Sequence, residues 1–231
     1  MSITLFRKKT AAFFEQHKWI TFIELSVAVF IAISIEFGWI NQYIIFAVFL
    51  YAWLSLWLRG KGWSDFGLKN PQSWKRTVLF ALSVGIIFQA LSLYLIEPFL
   101  CKLTGNIPDV SVFKPLVGNV PQLFFFLGLS WTFAAFVEEM IYRGYFMHRF
   151  ADLFNRNNTG FIVGIIFSNF LFGFGHMYQG LSGMIITGLT GLLFAGLFFA
   201  TNRNLWAAII AHGIYDTAGF LMLFFGVYPG I

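Results

Sequence analysis

Charge and cysteine are what this chain has least of. Only 11% of its residues are charged, against about 25% in soluble domains. A soluble globule of this size is excluded, because it would have too little polar surface to face water. Cys101 is the single cysteine, so an internal disulfide, a CxxC redox motif and a multi-cysteine metal site are excluded as well. Acidic residues number 10 against 15 basic ones, yet the basic residues form no stripe interleaved with aromatics, so nucleic acid is not an expected partner. No HExxH motif and no serine or cysteine nucleophile elbow is present.

What fills the space is apolar: 58% of the chain is hydrophobic and 21% aromatic. The polar residues sit in short clusters between long apolar stretches. A helix crossing a bilayer needs about 20 apolar residues, so the expected fold class is an all-α, polytopic transmembrane helical bundle of about seven spans. Those spans run over Trp19–Phe37, Ile40–Leu58, Thr77–Leu95, Pro121–Phe150, Gly160–Met177, Leu181–Ala200 and Leu205–Val227. Pro98 is expected to close the third, and Pro121 suits the first turn of the fourth. The run after Lys18 lacks a small-residue cleavage site and reads as a retained span, not a cleaved leader. Residues 1–76 form a two-span region plus a polar connector, and residues 77–231 form the helical core.

Orientation follows the basic residues. With the N-terminus in the cytoplasm, Arg7, Lys8, Lys9, Lys18, Arg59, Lys61, Lys69, Lys75, Arg76, Arg149, Arg156 and Arg203 fall inside, and only Lys102 and Lys114 fall outside. Glycines concentrate from Gly160 to Gly196, where small residues let helices approach closely. No internal repeat is visible, which counts against a transporter built on inverted repeats.

Ionisable residues inside spans cost roughly 2.5–3.5 kcal/mol on insertion scales, so they are candidates for function. Spans four, five and seven hold six: Glu138, Glu139, Arg143, His176, His212 and Asp216. Glu139 and Arg143 stand at i and i+4 with the acid first, the better order for a helical ion pair. A buried pair that only fixes packing would account for these two. It does not account for Glu138, which points about 100° away and has no cation at i±3 or i±4. Two carboxylates with different surroundings suggest one structural role and one reactive role. His176, near a helix end between glycines, reads equally as a satisfied polar residue. His212 and Asp216 again share a face and would form a hydrogen bond with or without chemistry. Together the six are most economically one polar cluster inside the bundle. Carboxylates plus imidazoles suit activation of water, directly or through a metal, and stabilisation of an oxyanion. Ser168 is a further nucleophile candidate with nothing local to mark it. Glu24, Glu36 and Glu97 lack a cluster and read as interfacial or packing residues, and His148 and Asp152 as cytoplasmic-interface residues.

The segments EEMIYR (Glu138–Arg143), FGFGH (Phe172–His176) and HGIYD (His212–Asp216) resemble, in order and spacing, the EExxxR, FxxxH and HxxxN/D signatures of the CAAX prenyl endopeptidase family, also called CPBP or Abi. The connector WSDFGLKNPQSWKR is similar to the segment many members carry before their catalytic half. The resemblance implies an intramembrane endopeptidase acting on membrane-associated proteins or peptides, and the small chain with no room for a soluble domain reads as a bacterial plasma-membrane protein. It implies that Glu138 and His176 activate water, that Glu139 and Arg143 support the site, and that His212 and residue 216 stabilise the oxyanion. Residue 216 is Asn in many members and Asp here. An ionised Asp cannot donate to an oxyanion, so Asp216 either stays protonated or orients His212. No metal is favoured. Zinc on Glu138, His176 and His212 is the alternative. The rival readings are a non-catalytic membrane immunity or binding protein and a proton-coupled transporter.

The span map strains this convergence. It puts Glu138 and His212 in the cytoplasmic half and His176 at the outer end of span five. An odd span number also places the C-terminus outside: a reporter fused after Ile231 should be reachable from outside the cell, and a cytoplasmic reporter would contradict the seven-span count.

Overall fold

The structure, a computed structural model, describes residues 3–40 and 45–229. The expected start of span two at Ile40 runs into residues 41–44, and the chain end at Ile231 also lies outside the described residues. The described residues are helical and contain no strand. An amphipathic helix α1 (Ile3–Gln16) precedes the apolar ones. Five helices are long and apolar enough to cross a membrane: α2 (Lys18–Glu36), α4 (Trp74–Thr104), α5 (Val120–Leu153), α7 (Met177–Ala200) and α8 (Leu205–Phe224). Two shorter apolar helices, α3 (Ile45–Leu58) and α6 (Asn158–Phe174), complete the set. The protein is an integral membrane protein with the seven apolar segments that the sequence indicates.

Polar residues between the apolar runs start the helices. Ser73, Asn119, Asn157 and Asn204 accept hydrogen bonds from the backbone N–H groups of Arg76, Gln122, Gly160 and Trp206. Each satisfies one of the donors that a helix N-terminus leaves open.

The expected end of the third span at Pro98 is corrected. The helix continues through Pro98 to Thr104 because a π-helical stretch, Ser92–Ile96, lies immediately before it. Proline deprives the preceding turn of an N–H and crowds it. A widened turn accommodates both effects. The same device recurs in α5, whose middle is π-helical over Ser130–Glu138 and Met140–Phe146.

Close backbone approach sets the late helices. A Cβ on Gly173 of α6 would lie 2.6 Å from the Met184 carbonyl and 3.1 Å from Gly188 Cα, both on α7. These helices therefore cross with no side chain between them.

Helix arithmetic resolves the depth conflict. Glu138 lies 15 residues before Leu153 and His176 lies 18 after Asn158. At ~1.5 Å per residue, both stand roughly 20–27 Å from the turn at 154–157. His212 lies only seven residues past Leu205, or ~10 Å above the turn at 201–204. For all three to meet, the α5–α6 hairpin must extend roughly 10–17 Å further out than the α7–α8 turn. The connector covers that extension. Trp63 stacks on Phe49 with ring centres 5.5 Å apart, and Phe66 sits edge-on to His148 at 4.7 Å. Leu205 N donates to the Gly67 carbonyl at 2.9 Å, and Asn204 Nδ2 donates to that of Lys69 at 2.9 Å. Expected at the interface, His148 is instead buried under this cover.

Glu24 is a second correction. It is no isolated interfacial group but the centre of a buried network. Its Oε1 accepts from Tyr145 Oη at 2.6 Å and from Ser55 Oγ, and its Oε2 pairs with Arg59. Arg59 also donates to Ser55 Oγ at 2.9 Å and Thr21 Oγ1 at 3.2 Å. The network joins α2 and α3 to α5. The partners come from residues too far apart in sequence to be seen in any local pattern.

Removing one member of a buried pair typically costs about 3–5 kcal/mol, whereas replacing both by apolar groups is often neutral. Arg59→Ala should therefore lower thermal stability in detergent substantially, and Glu24→Leu combined with Arg59→Met should recover most of it. An unchanged melting temperature in Arg59→Ala would contradict this role.

Candidate active site

The six polar residues meet. Glu138, Glu139 and Arg143 come from the π-helical part of α5. His176 comes from the turn after α6, and His212 and Asp216 from α8. Glu138, His176, His212 and Asp216 line one cavity of about 350 Å³. Glu139 and Arg143 are fully buried beside it.

Glu139 Oε1 is the hub. Arg143 Nη1 donates to it at 2.9 Å, and His212 Nδ1 lies 2.9 Å away on the other side. A carboxylate paired with Arg accepts, so His212 Nδ1 carries the proton. Nε2 of His212 is thereby turned towards Asp216 Oδ2, at 3.6 Å. That distance is too long for a hydrogen bond. The His212–Asp216 hydrogen bond suggested by the i, i+4 spacing is thus corrected: Glu139 fixes the imidazole, and Asp216 instead accepts from Ser130 Oγ at 2.7 Å.

Arg143 is held at both terminal nitrogens and between two aromatic rings, and only its Nε lacks a partner. Its Nη2 donates to Asn169 Oδ1 at 3.0 Å, and its guanidinium lies 4.4 Å from the Phe172 ring centre and 5.6 Å from that of Phe194. Phe194 also stacks on His212, with ring centres 4.7 Å apart. Gly191 leaves the room: a Cβ there would lie 2.6 Å from Arg143 Nη2 and 2.8 Å from Phe172 Cδ1.

Glu138 differs from Glu139 as the sequence indicates. Among the described residues no hydrogen bond reaches it, and its Oε2 is buried without a partner. His176 Nδ1 lies 2.9 Å from the Phe172 carbonyl. A carbonyl only accepts, so Nδ1 carries the proton and Nε2 keeps a lone pair. The cavity thus presents an unpartnered carboxyl, one imidazole nitrogen that can accept and another, on His212, fixed in direction by Glu139.

Ser168 does not join them. It is buried, donates to the Ile165 carbonyl at 3.3 Å and is absent from the cavity wall. Asn169, Ser130 and Phe194 are components of the site that the sequence reasoning missed, and Phe172 entered only as the first residue of the FGFGH segment. Asn169 was visible as a polar residue in an apolar span. Ser130 and Phe194 carry no signal without the fold.

Among the described residues, no three His, Cys, Asp or Glu side chains are grouped closely enough to hold a metal ion. In this arrangement Glu138, His176 and His212 share a cavity without forming a chelate.

Gly191→Ala tests the hub without deleting a polar group. The added methyl should displace Arg143 and loosen its hold on Glu139, lowering thermal stability by about 1–3 kcal/mol as overpacking does. An unchanged melting temperature would show that the guanidinium has more freedom than the geometry allows.

Residues 120–218 match a family model described as type II CAAX prenyl endopeptidase Rce1-like. No curated protein and no solved structure matches the chain. The matched segment contains all six polar residues and the helices that bring them together. Residues 120–218 of this membrane protein are thus similar to the Rce1-like, type II CAAX prenyl endopeptidase family.

Proposed function

We propose that the protein is an intramembrane endopeptidase that hydrolyses peptide bonds of membrane-associated proteins or peptides by a water activated at Glu138. The observation that carries this is the unpartnered Glu138 carboxyl in a cavity shared with two imidazoles. A residue kept only for packing would be paired, since a buried polar group without a partner costs about 1–3 kcal/mol.

In this reading a water sits between Glu138 and His176. Glu138 takes one of its protons, and His176 Nε2 accepts a hydrogen bond from the other. The resulting hydroxide attacks the carbonyl carbon. The carbonyl oxygen becomes an oxyanion beside His212 Nε2, which donates when the ring carries its second proton. Asp216, 3.6 Å from that nitrogen, favours that proton. Collapse of the tetrahedral intermediate breaks the C–N bond, and Glu138 returns its proton to the leaving amine. Glu139 and Arg143 touch no substrate and act as positioning residues, since Glu139 directs His212 and Arg143 holds Glu139.

The binding-protein alternative needs the same cavity but no proton transfer, so the two separate on conservative substitutions. With reconstituted protein and a library of internally quenched membrane peptides, Glu138→Gln should lower the cleavage rate about 10²–10⁴-fold, the usual loss of a general base. Folding should be unaffected. His212→Ala should lose about 10²–10³-fold, as for an oxyanion donor. Asp216→Asn should lower activity and shift the pH profile, because the amide supplies no charge opposite Nε2. A rise in activity would assign Asp216 as an oxyanion donor. Cleavage by Glu138→Gln at the wild-type rate would remove the enzyme reading and leave the binding protein. A chelator series on the wild type separates direct activation of water, which it leaves intact, from zinc held by Glu138, His176 and His212, which it abolishes.

A further inference from the structure

The cavity that holds Glu138 continues to a second buried carboxyl that the chemistry above does not use. Glu97, on α4 just past the π-helical stretch, lines the same cavity and is 6% exposed. Its Oε1 takes two long hydrogen bonds, from Ser92 Oγ and from Tyr228 Oη, each 3.3 Å. Oε2 takes none. Among the described residues no lysine or arginine pairs with it. Gln89, two helical turns earlier on α4, lines the cavity as well, and its buried Oε1 has no partner. This part of the wall thus offers three weakly used or unused acceptor positions and one carboxyl without a counter-ion. Phe113, Phe126 and Phe220 supply apolar surface beside them.

Buried acceptors are satisfied by donors, and buried carboxylates by cations. Beyond the two long hydrogen bonds to Glu97 Oε1, the described residues supply neither a cation for this carboxyl nor a donor for Gln89 Oε1. We propose that Glu97 and Gln89 form a cation-recognising subsite of the active cavity, which takes an ammonium or guanidinium group of the substrate, such as a lysine or arginine side chain or a free amino terminus. The assignment rests on the endopeptidase reading only for the word substrate; the binding itself does not require it. Glu97 Oε2 accepts from the cation, Gln89 Oε1 accepts a second N–H, and the aromatic side chains pack on the attached hydrocarbon. A substrate seated this way is oriented before Glu138 acts on it.

The test uses the full-length protein in nanodiscs of zwitterionic lipid and two probes of nearly the same shape, phenethylammonium and 2-phenylethanol. Binding is read by thermal shift and by tryptophan fluorescence. The ammonium should bind saturably and about tenfold or more tighter than the alcohol, the discrimination expected of one charge-assisted hydrogen bond. Glu97→Gln, neutral and of the same shape, should erase that preference, and Gln89→Met should reduce it. Glu138→Gln should keep it. Equal binding of the two probes, or a preference that survives Glu97→Gln, overturns the subsite. Should Glu97→Gln fail to fold, Gln89→Met decides: an undiminished preference there overturns the assignment. If the ammonium does not bind while Glu138→Gln still abolishes cleavage, the subsite falls and the endopeptidase reading stands. If the ammonium binds through Glu97 while Glu138→Gln cleaves normally, the opposite holds.

Discussion

A single oxygen, Glu139 Oε1, takes both Arg143 and His212, and the polar interior of this protein is arranged around it. A guanidinium inside a membrane bundle is tolerated only when its charge and its donors are met. Arg143 has its charge met by Glu139 and the faces of two phenylalanines, and both terminal nitrogens donate, to Glu139 and Asn169, while Nε is left without a partner. The same carboxylate directs one nitrogen of His212 and so aims the other into the cavity. The Glu139–Arg143 pair therefore does what the adjacent Glu138 cannot do while remaining free. It carries the electrostatic load of the interior and leaves the neighbouring carboxyl unpartnered. The π-helical course of α5 lets adjacent glutamates serve these separate ends. The close backbone crossing at Gly173, and the room that Gly191 leaves for the Arg143 and Phe172 side chains, then bring α7 near enough to enclose them.

The same logic operates in the N-terminal helices, where Glu24, Arg59 and Tyr145 tie α2 and α3 to α5 two residues past Arg143. Here the charged groups meet one another completely, and nothing reactive is left over. Completeness of pairing thus separates the two interior networks. One has every charge matched and joins elements; the other keeps Glu138 open towards a cavity.

Much of this was legible in the sequence, because membranes impose simple rules. Apolar run length gave seven segments. Helical spacing gave the Glu139–Arg143 pair, and the lack of a cation at i±3 or i±4 from Glu138 matched the lack of an ion pair to it among the described residues. What was not legible came from long-range geometry. The spacing of His212 and Asp216 suggested a direct hydrogen bond, but the ring is taken by Glu139 from another helix, 73 positions away. Glu24 and Glu97 looked isolated because each takes a tyrosine, Tyr145 or Tyr228, from more than 100 residues away. Pro98 was read as a helix end because the compensating π-helical turn has no sequence signature. The depth of His176 was misjudged because apolar length alone does not reveal that the α5–α6 hairpin projects past its neighbours under a cover of connector residues.

The central claim is that Glu138 carries out chemistry and is not a packing residue. Comparing the peptide termini of the membrane proteome between cells carrying the wild-type protein and cells carrying Glu138→Ala at matched abundance tests it most directly. The account predicts a set of new termini, within or beside membrane segments, that exists in the wild type and vanishes in the variant. Identical sets of termini in the two strains, with both proteins folded in the membrane, would contradict it.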